Sequence, residues 1–244
     1  MMNRFPYAQP SPEEKGLRGE WAIDDGIFAA QKMGFPGRIV HNIYVPNKHG
    51  THAEIDVLYI TQKGIFVFES KNYRGWIFGD GKSTYWTLCV SPNTKHKFYN
   101  PILQNQGHIR VLSEYIQQKL PFFSVIAYSA QCEIKKMSQV PANTYMVHYY
   151  DVPSVIQQVW STQPDIISNQ QVAELFQLLV TLRSKDLDII NNHIQSVQNI
   201  VNNQHICPKC GKELVLRTAK KGTNAGQQFW GCSNYPKCTY TRAL

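Results

Sequence analysis

Apolar positions along the chain change period several times, and each change marks an element. Ser11-Pro12-Glu13-Glu14 reads as a helix start, with Ser11 as N-cap, Pro12 at the first helical position and Glu14 at the capping-box position. Gly16 and Gly19 weaken its first turns, and the helix is expected to run to Gly34. Glu20, Ile23, Ile27 and Ala30 fall at helical spacing, so a carboxylate shares the stripe that faces inward. Residues 38–45, 54–60, 65–71 and 84–90 are rich in β-branched and aromatic residues and are separated by Gly, Pro, Asn or Lys, which predicts a run of strands in a meander. Asn100-Pro101 caps a second helix carrying Ile102, Ile109, Leu112 and Ile116, on which Gln104 and His108 are neighbours one turn apart. Strands at 122–130 and 145–150, a short helix at 152–160 and a helix at 168–183 with a Ser168 and Gln171 capping box follow. This order predicts an α/β body, a mixed sheet flanked by helices. Leu187, Ile190, Ile194, Val197 and Val201 continue a helical stripe in an Asn/Gln-rich background, read as a helix packed on the body or a helical linker.

Charge divides the chain of 244 residues. It holds 25 Lys+Arg against 17 Asp+Glu, a net charge of +8. Within 205–244 stand Lys209, Lys212, Arg217, Lys220, Lys221, Lys237 and Arg242 against the single acid Glu213, so the tail is strongly basic and the body near neutral. A basic tail on a neutral body predicts a polyanionic partner. Hydrophobic residues make up 43%, enough for a core, which excludes global disorder. The segment MMNRFPYAQPSPEEKG has no apolar signal-peptide core, so the expected compartment is a reducing cytoplasm. No apolar run approaches the roughly 20 residues that span a bilayer, and no membrane partner is expected.

Four of the six cysteines crowd the tail. Cys207-Pro-Lys-Cys210 and Cys232-Ser-Asn-Tyr-Pro-Lys-Cys238 place two thiol pairs on a segment too small to fold on a core alone, the pattern of a structural Zn²⁺ site. In the body, Thr61–Gly64 read as a hairpin turn pairs Ile60 with Ile65 and sets Asp56 opposite Glu69. Directly opposed like charges are destabilising. Lys71 projects from the same face and offsets part of the repulsion; a divalent ion held by both carboxylates would offset more.

Asp56 followed by Glu69-Ser70-Lys71 resembles the D…ExK signature of the PD-(D/E)xK restriction-endonuclease-like nucleases. More closely, Gly19-Glu20, Glu54-Ile55-Asp56, Gly64, Glu69-Ser70-Lys71-Asn72 with Gly75, and Asn100-Pro101 with Gln104 resemble the NERD (nuclease-related) domain over roughly residues 15–160. The resemblance implies a restriction-endonuclease-like fold and metal-dependent phosphodiester hydrolysis. It implies Mg²⁺ or Mn²⁺ on Asp56, Glu69 and the Ser70 carbonyl, Lys71 at the attacking water or the phosphate, Glu20 completing the metal shell or positioning water, and Gln104 holding a ligand or phosphate. A non-catalytic DNA-binding accessory protein with a nuclease-like scaffold is the alternative.

The segment from Phe229 to Cys238 is similar to the C4 zinc finger at the C-termini of bacterial type I DNA topoisomerases, which implies a DNA-binding zinc ribbon, often for single strands. Phe229, Trp230, Tyr235 and Tyr240 among basic residues including Lys220, Lys221 and Lys237 supply stacking platforms and phosphate contacts, with at most two aromatics left free for bases. A second set, Lys71, Arg74, Lys95 and Lys97 with Tyr73, Trp76 and Phe98, reads either as a DNA path or as surface charges and core aromatics. The expected organisation is a nuclease-like domain at 11–160, a helical extension and linker at 161–204 and a C4 zinc finger at 205–244.

Overall fold

A computed structural model describes residues 12–48, 50–183, 207, 210, 212–219 and 225–243. The chain forms two compact units, Met1–Ile189 and Ile190–Leu244. The Ser11 cap, the Leu187–Val201 stripe, Lys220 and Lys221 lie outside the described residues.

The first unit is built on a five-stranded mixed sheet. Helix α1 (Pro12–Lys32) precedes β1 (Arg38–Pro46), β2 (His52–Thr61) and β3 (Gly64–Lys71), which pair antiparallel in sequence. Strand β7 (Phe122–Tyr128) joins parallel to β3, and β9 (Thr144–His148) parallel to β7. The central strands are apolar on both faces because both faces are covered. Ile23, Ile27 and Ala30 of α1 pack with Val57, Tyr59, Phe66 and Phe68, together with Val152, Val155, Ile156 and Val159 of α3 (Val152–Thr162). On the other face Leu58, Ile60, Ile65 and Val67 meet Leu112 and Ile116 of α2 (Pro101–Ile116) and Val172, Leu175 and Leu179 of α4 (Asn169–Val180).

Local signals set these boundaries. Asn100 accepts from the Ile102 amide at 2.9 Å, donates to the carbonyls of Asp80 and Ser83, and is fully buried, so one side chain fixes the start of α2 and the preceding loop. Ser168 and Gln171 form the reciprocal capping box at α4.

A second sheet was read only in part from the sequence. It runs in the order β6 (Thr94–Tyr99), β5 (Tyr85–Ser91), β4 (Gly75–Phe78), β8 (Cys132–Lys136), with β8 parallel to β4. Its inner face, Ile77, Trp86 and Cys132, closes a third core with Ile102, Ile126 and Tyr128. Gly75 lies at φ +117°, where an added Cβ would stand 2.4 Å from the Cys89 carbonyl oxygen, so this close approach of β4 to β5 requires glycine.

The second unit is a small antiparallel sheet of β10 (Leu214–Thr218), β11 (Gln228–Cys232) and β12 (Thr241–Ala243). Among the described residues, no helix is long and apolar enough to cross a membrane.

Candidate functional site: a carboxylate-lysine cluster and a cysteine cluster

The end of β3 carries the first site. The β2–β3 ladder pairs Ile60 with Ile65 and Val57 with Phe68, so Asp56 and Glu69 are the next step in the register the turn predicts. Glu69 is 3% exposed and Lys71 lies one pleat further. Lys71 Nζ stands 2.5 Å from Glu69 Oε1 and donates to Gln104 Oε1 at 3.2 Å. His108 Nδ1 lies 3.5 Å from Glu69 Oε2. Helix α2 therefore brings both of its polar i,i+4 residues to the β3 carboxylate and lysine.

Between them, Ser70 points to the opposite face. Its hydroxyl lies 2.9 Å from that of Tyr149, which stands in a short 3-10 turn, Tyr149–Asp151. Gly19 of α1 closes over this pair: a Cβ there would sit 2.2 Å from Ser70 Oγ and 2.6 Å from the Tyr149 hydroxyl. Gly19→Ala is accordingly expected to cost about 1–3 kcal/mol of stability by overpacking. An unchanged thermal midpoint would show that this contact is not tight.

Glu20 enters through a break in β1. Asn42 has φ +50°, and the β1–β2 pairing skips Asn42 and Asp56 while resuming in the same register on both sides. Asparagine tolerates this left-handed conformation better than most residues. Across the break both strands change the face they present: Val40 and Ile43 share one core layer, and Ile55 lies with Leu58 while Val57 turns to the other. Asn42 Nδ2 donates to Glu20 Oε2 at 3.4 Å, and the Tyr44 hydroxyl donates to Glu54 Oε1 at 2.9 Å. Asp56, at the break, feels the charges of Glu69, Lys71, Glu20 and Glu54.

Three carboxylates and one lysine thus act on Asp56. Burial first, and the charge of Glu69 second, push the Asp56 carboxyl up to about 8. Burial likewise raises Glu20, opposed by the Asn42 hydrogen bond and His41. At Lys71 burial opposes the charge, but Glu69, Tyr73 and Asp56 together outweigh it and the net direction is up. The folded metal-free chain therefore keeps a proton on Asp56 that the unfolded chain releases near its ordinary value of 3.8. Stability is then complete at low pH and is lost as pH rises toward 8. Asp56→Asn is expected to match the parent near pH 4 and to exceed it by about 1 kcal/mol at pH 8 without divalent ions, because it removes a charge that desolvation and Glu69 disfavour. Denaturant unfolding at both pH values checks this; equal stability at pH 8 would contradict it.

Glu54, Asn42, Tyr44 and Tyr149 were not singled out as site residues from the sequence. Glu54 had a signal, its i,i+2 spacing to Asp56. Asn42 and Tyr149 had none, because their positions depend on a positive φ and on the β7–β9 crossover. Ser70 pairs with Ala127 in the parallel ladder.

The second site is in the small unit. Cys207, Cys210, Cys232 and Cys238 bring their sulfurs within 4.8 Å of one another, the one such group of three or more metal-ligand side chains among the described residues. Cys207 and Cys238 approach to 3.7 Å and Cys210 and Cys232 to 3.3 Å. Four thiols at these separations fit a tetrahedral Zn²⁺. The Asn234 amide donates to Cys232 Sγ at 3.4 Å, a bond that favours a thiolate there. Leu214 and three of the cysteines form the small core, with Trp230 and Tyr240 packed against it. Tyr235 is 63% exposed, with the Arg217 guanidinium 5.7 Å from its ring centroid, and Lys237 is exposed. Arg217, Phe229, Tyr235 and Tyr240 line a groove of about 510 Å³.

Two family models match the chain, one within each unit. Residues 15–129 match the nuclease-related domain family, NERD, and residues 204–244 the topoisomerase DNA binding C4 zinc finger. An uncharacterized protein of Bacillus anthracis is 28% identical over 188 residues, 77% of this chain and 86% of that protein. DNA topoisomerase 1 of Archaeoglobus fulgidus is 58% identical over 38 residues, 16% of this chain and 5% of the topoisomerase, so the likeness is to a small part of that enzyme. An uncharacterized protein of Escherichia coli is 52% identical over 44 residues, 18% of this chain and 22% of its own. No solved structure matches the chain.

Proposed function

Because the chain joins a nuclease-related domain to a topoisomerase-type C4 zinc ribbon, we propose that it is a cytoplasmic DNA-binding nuclease that hydrolyses phosphodiester bonds with Mg²⁺ or Mn²⁺, its ribbon holding DNA, preferentially single-stranded. The observation that carries this reading is the half-buried Asp56 acted on by the charge of the buried Glu69, with Lys71 as their cation, an arrangement that a hard divalent ion would relieve. Asp56, Glu69 and the Ser70 carbonyl would hold the ion, and Glu20 would complete its shell. When bound, the ion supplies Lewis-acid polarisation of the phosphate and a lower pKa for water. Lys71 orients the attacking water or neutralises charge developing on the phosphate, and Gln104 fixes the Lys71 ammonium through its 3.2 Å hydrogen bond. Tyr235, Phe229 and Lys237 supply the open stacking and phosphate contacts of the ribbon, while Trp230 and Tyr240 serve its core.

A second reading, a non-catalytic DNA-binding scaffold, draws on one observation. Among the described residues the acids of the first unit do not bring three ligand atoms within 4.8 Å, as the cysteines do. Incubation of labelled single- and double-stranded DNA with the pure chain separates the two. Products with Mg²⁺ or Mn²⁺ and none without a divalent ion are expected; no products on any substrate with either ion would leave the scaffold.

A further inference from the structure

The second sheet of the first unit covers a core on one face only. Trp76 and Phe78 on β4, Tyr85 on β5 and Tyr99 on β6 project from the other face, and all four are between 37% and 47% exposed. The ladders fix their arrangement. Trp76 pairs with Cys89, which pairs with Lys95; Phe78 pairs with Thr87, which pairs with Lys97; Tyr85 pairs with Tyr99. On the remaining edge Phe78 pairs with Lys136, and Lys135 Nζ lies 5.1 Å from the Trp76 ring centroid. These four lysines are exposed, and the acid on this face, Glu133, is bonded to Lys135. By contrast Tyr73 and Phe98 pack on the inner core, edge to face at 4.9 Å. The sheet itself separates the two groups that the sequence left mixed.

Aromatic rings and lysines standing in the same cross-strand rows suit one kind of partner. The core of a protein interface is depleted of lysine, whereas these lysines share the rows of the rings. A duplex hides the faces of its bases, and a flat sheet cannot enter its grooves. An unpaired strand offers base faces to the rings and phosphates to the lysines, and an open four-stranded sheet takes two or three stacked bases in this way. Strand β4 begins four residues after Lys71, so this sheet follows the strand of the carboxylate cluster directly in the chain. We propose that this outer face is a second binding surface, separate from the ribbon, for a single-stranded polynucleotide.

Cys89 reports on it directly. Its half-exposed thiol sits in the middle of the face, Cys132 is buried, and the other four cysteines form the zinc-type cluster. The experiment uses the full zinc-loaded chain in buffer without Mg²⁺ or chelator, and measures the rate of Cys89 alkylation with and without saturating oligothymidylate. Oligothymidylate is expected to slow alkylation about fivefold or more, with a duplex or polyglutamate having no such effect; Trp76→Ala and Lys95→Glu/Lys97→Glu should each abolish protection and weaken binding about tenfold. Because these residues lie outside the core, the variants should keep the parent thermal midpoint. Unprotected Cys89, protection that survives both variants, or equal protection by duplex or polyglutamate would overturn the proposal. The readout is binding without a catalytic ion, so an inactive carboxylate cluster leaves it standing.

Discussion

Glu69→Gln and Lys71→Met are each expected to lower the rate of divalent-ion-dependent DNA cleavage by at least about 100-fold, the usual cost of removing one preorganised charged group from a buried site. Both replacements keep most of the side-chain volume, which matters because the pair is buried: Glu69 is 3% exposed and its oxygens serve Lys71 and His108. Glu69→Ala would leave the Lys71 ammonium with Gln104 and Asp56 alone, and breaking a buried pair in this way costs about 3–5 kcal/mol of stability. An alanine variant that loses activity therefore says little unless its thermal midpoint is known. The amide of Glu69→Gln can still accept from Lys71, so the variant should fold, and its defect should lie in metal affinity and rate. Cleavage that survives both conservative variants would place the chemistry elsewhere.

Removing zinc should unfold the small unit. Its core is Leu214 with Cys207, Cys232 and Cys238, and a sheet of three short strands with one buried aliphatic side chain cannot offset the entropy of ordering them. Binding free energies of roughly 10–16 kcal/mol are typical for structural zinc in peptides of this kind, so the metal supplies the folding energy. One zinc per chain is expected, and a strong chelator or Cys232→Ser should remove the backbone amide dispersion of β10–β12 in NMR spectra. DNA affinity should fall about tenfold as the Tyr235 and Lys237 surface is lost. The amide signals of β1–β3 should be unaffected. Retention of the β10–β12 signals in metal-free protein would show that the thiols are not the fold's support.

How far these sites were legible depended on whether a local signal or a tertiary accident placed each residue. The Thr61–Gly64 turn has a pairing that the apolar strands permit in one register, so Asp56 and Glu69 could be matched from sequence. Asn100-Pro101 and Ser168 with Gln171 announced α2 and α4 because capping is local chemistry. The strands β4, β6 and β8 left weaker traces. Thr94-Lys95-His96-Lys97-Phe98-Tyr99 is mostly exposed and lysine-rich, and β4 is four residues long, so neither has a buried alternation to read. Within the carboxylate cluster, Glu20 was drawn inward by its place on the α1 stripe, and Gln104 was noted beside His108. Asn42 was invisible, since only the folded sheet forces φ +50° there, and that break is what brings Glu20 and Glu54 toward Asp56. In the ribbon the cysteine spacing spoke for itself. Which aromatics faced the metal did not, because strand register alone turns Trp230 inward while Tyr235 stands out.

The central claim, a divalent ion held between Asp56 and Glu69, is tested most directly by anomalous scattering from a crystal soaked in Mn²⁺. A manganese peak between the two carboxylates is expected, lost in Glu69→Gln, with the zinc peak at the four cysteines serving as an internal control. A zinc peak at the cysteines with no manganese at Asp56 and Glu69 would contradict it.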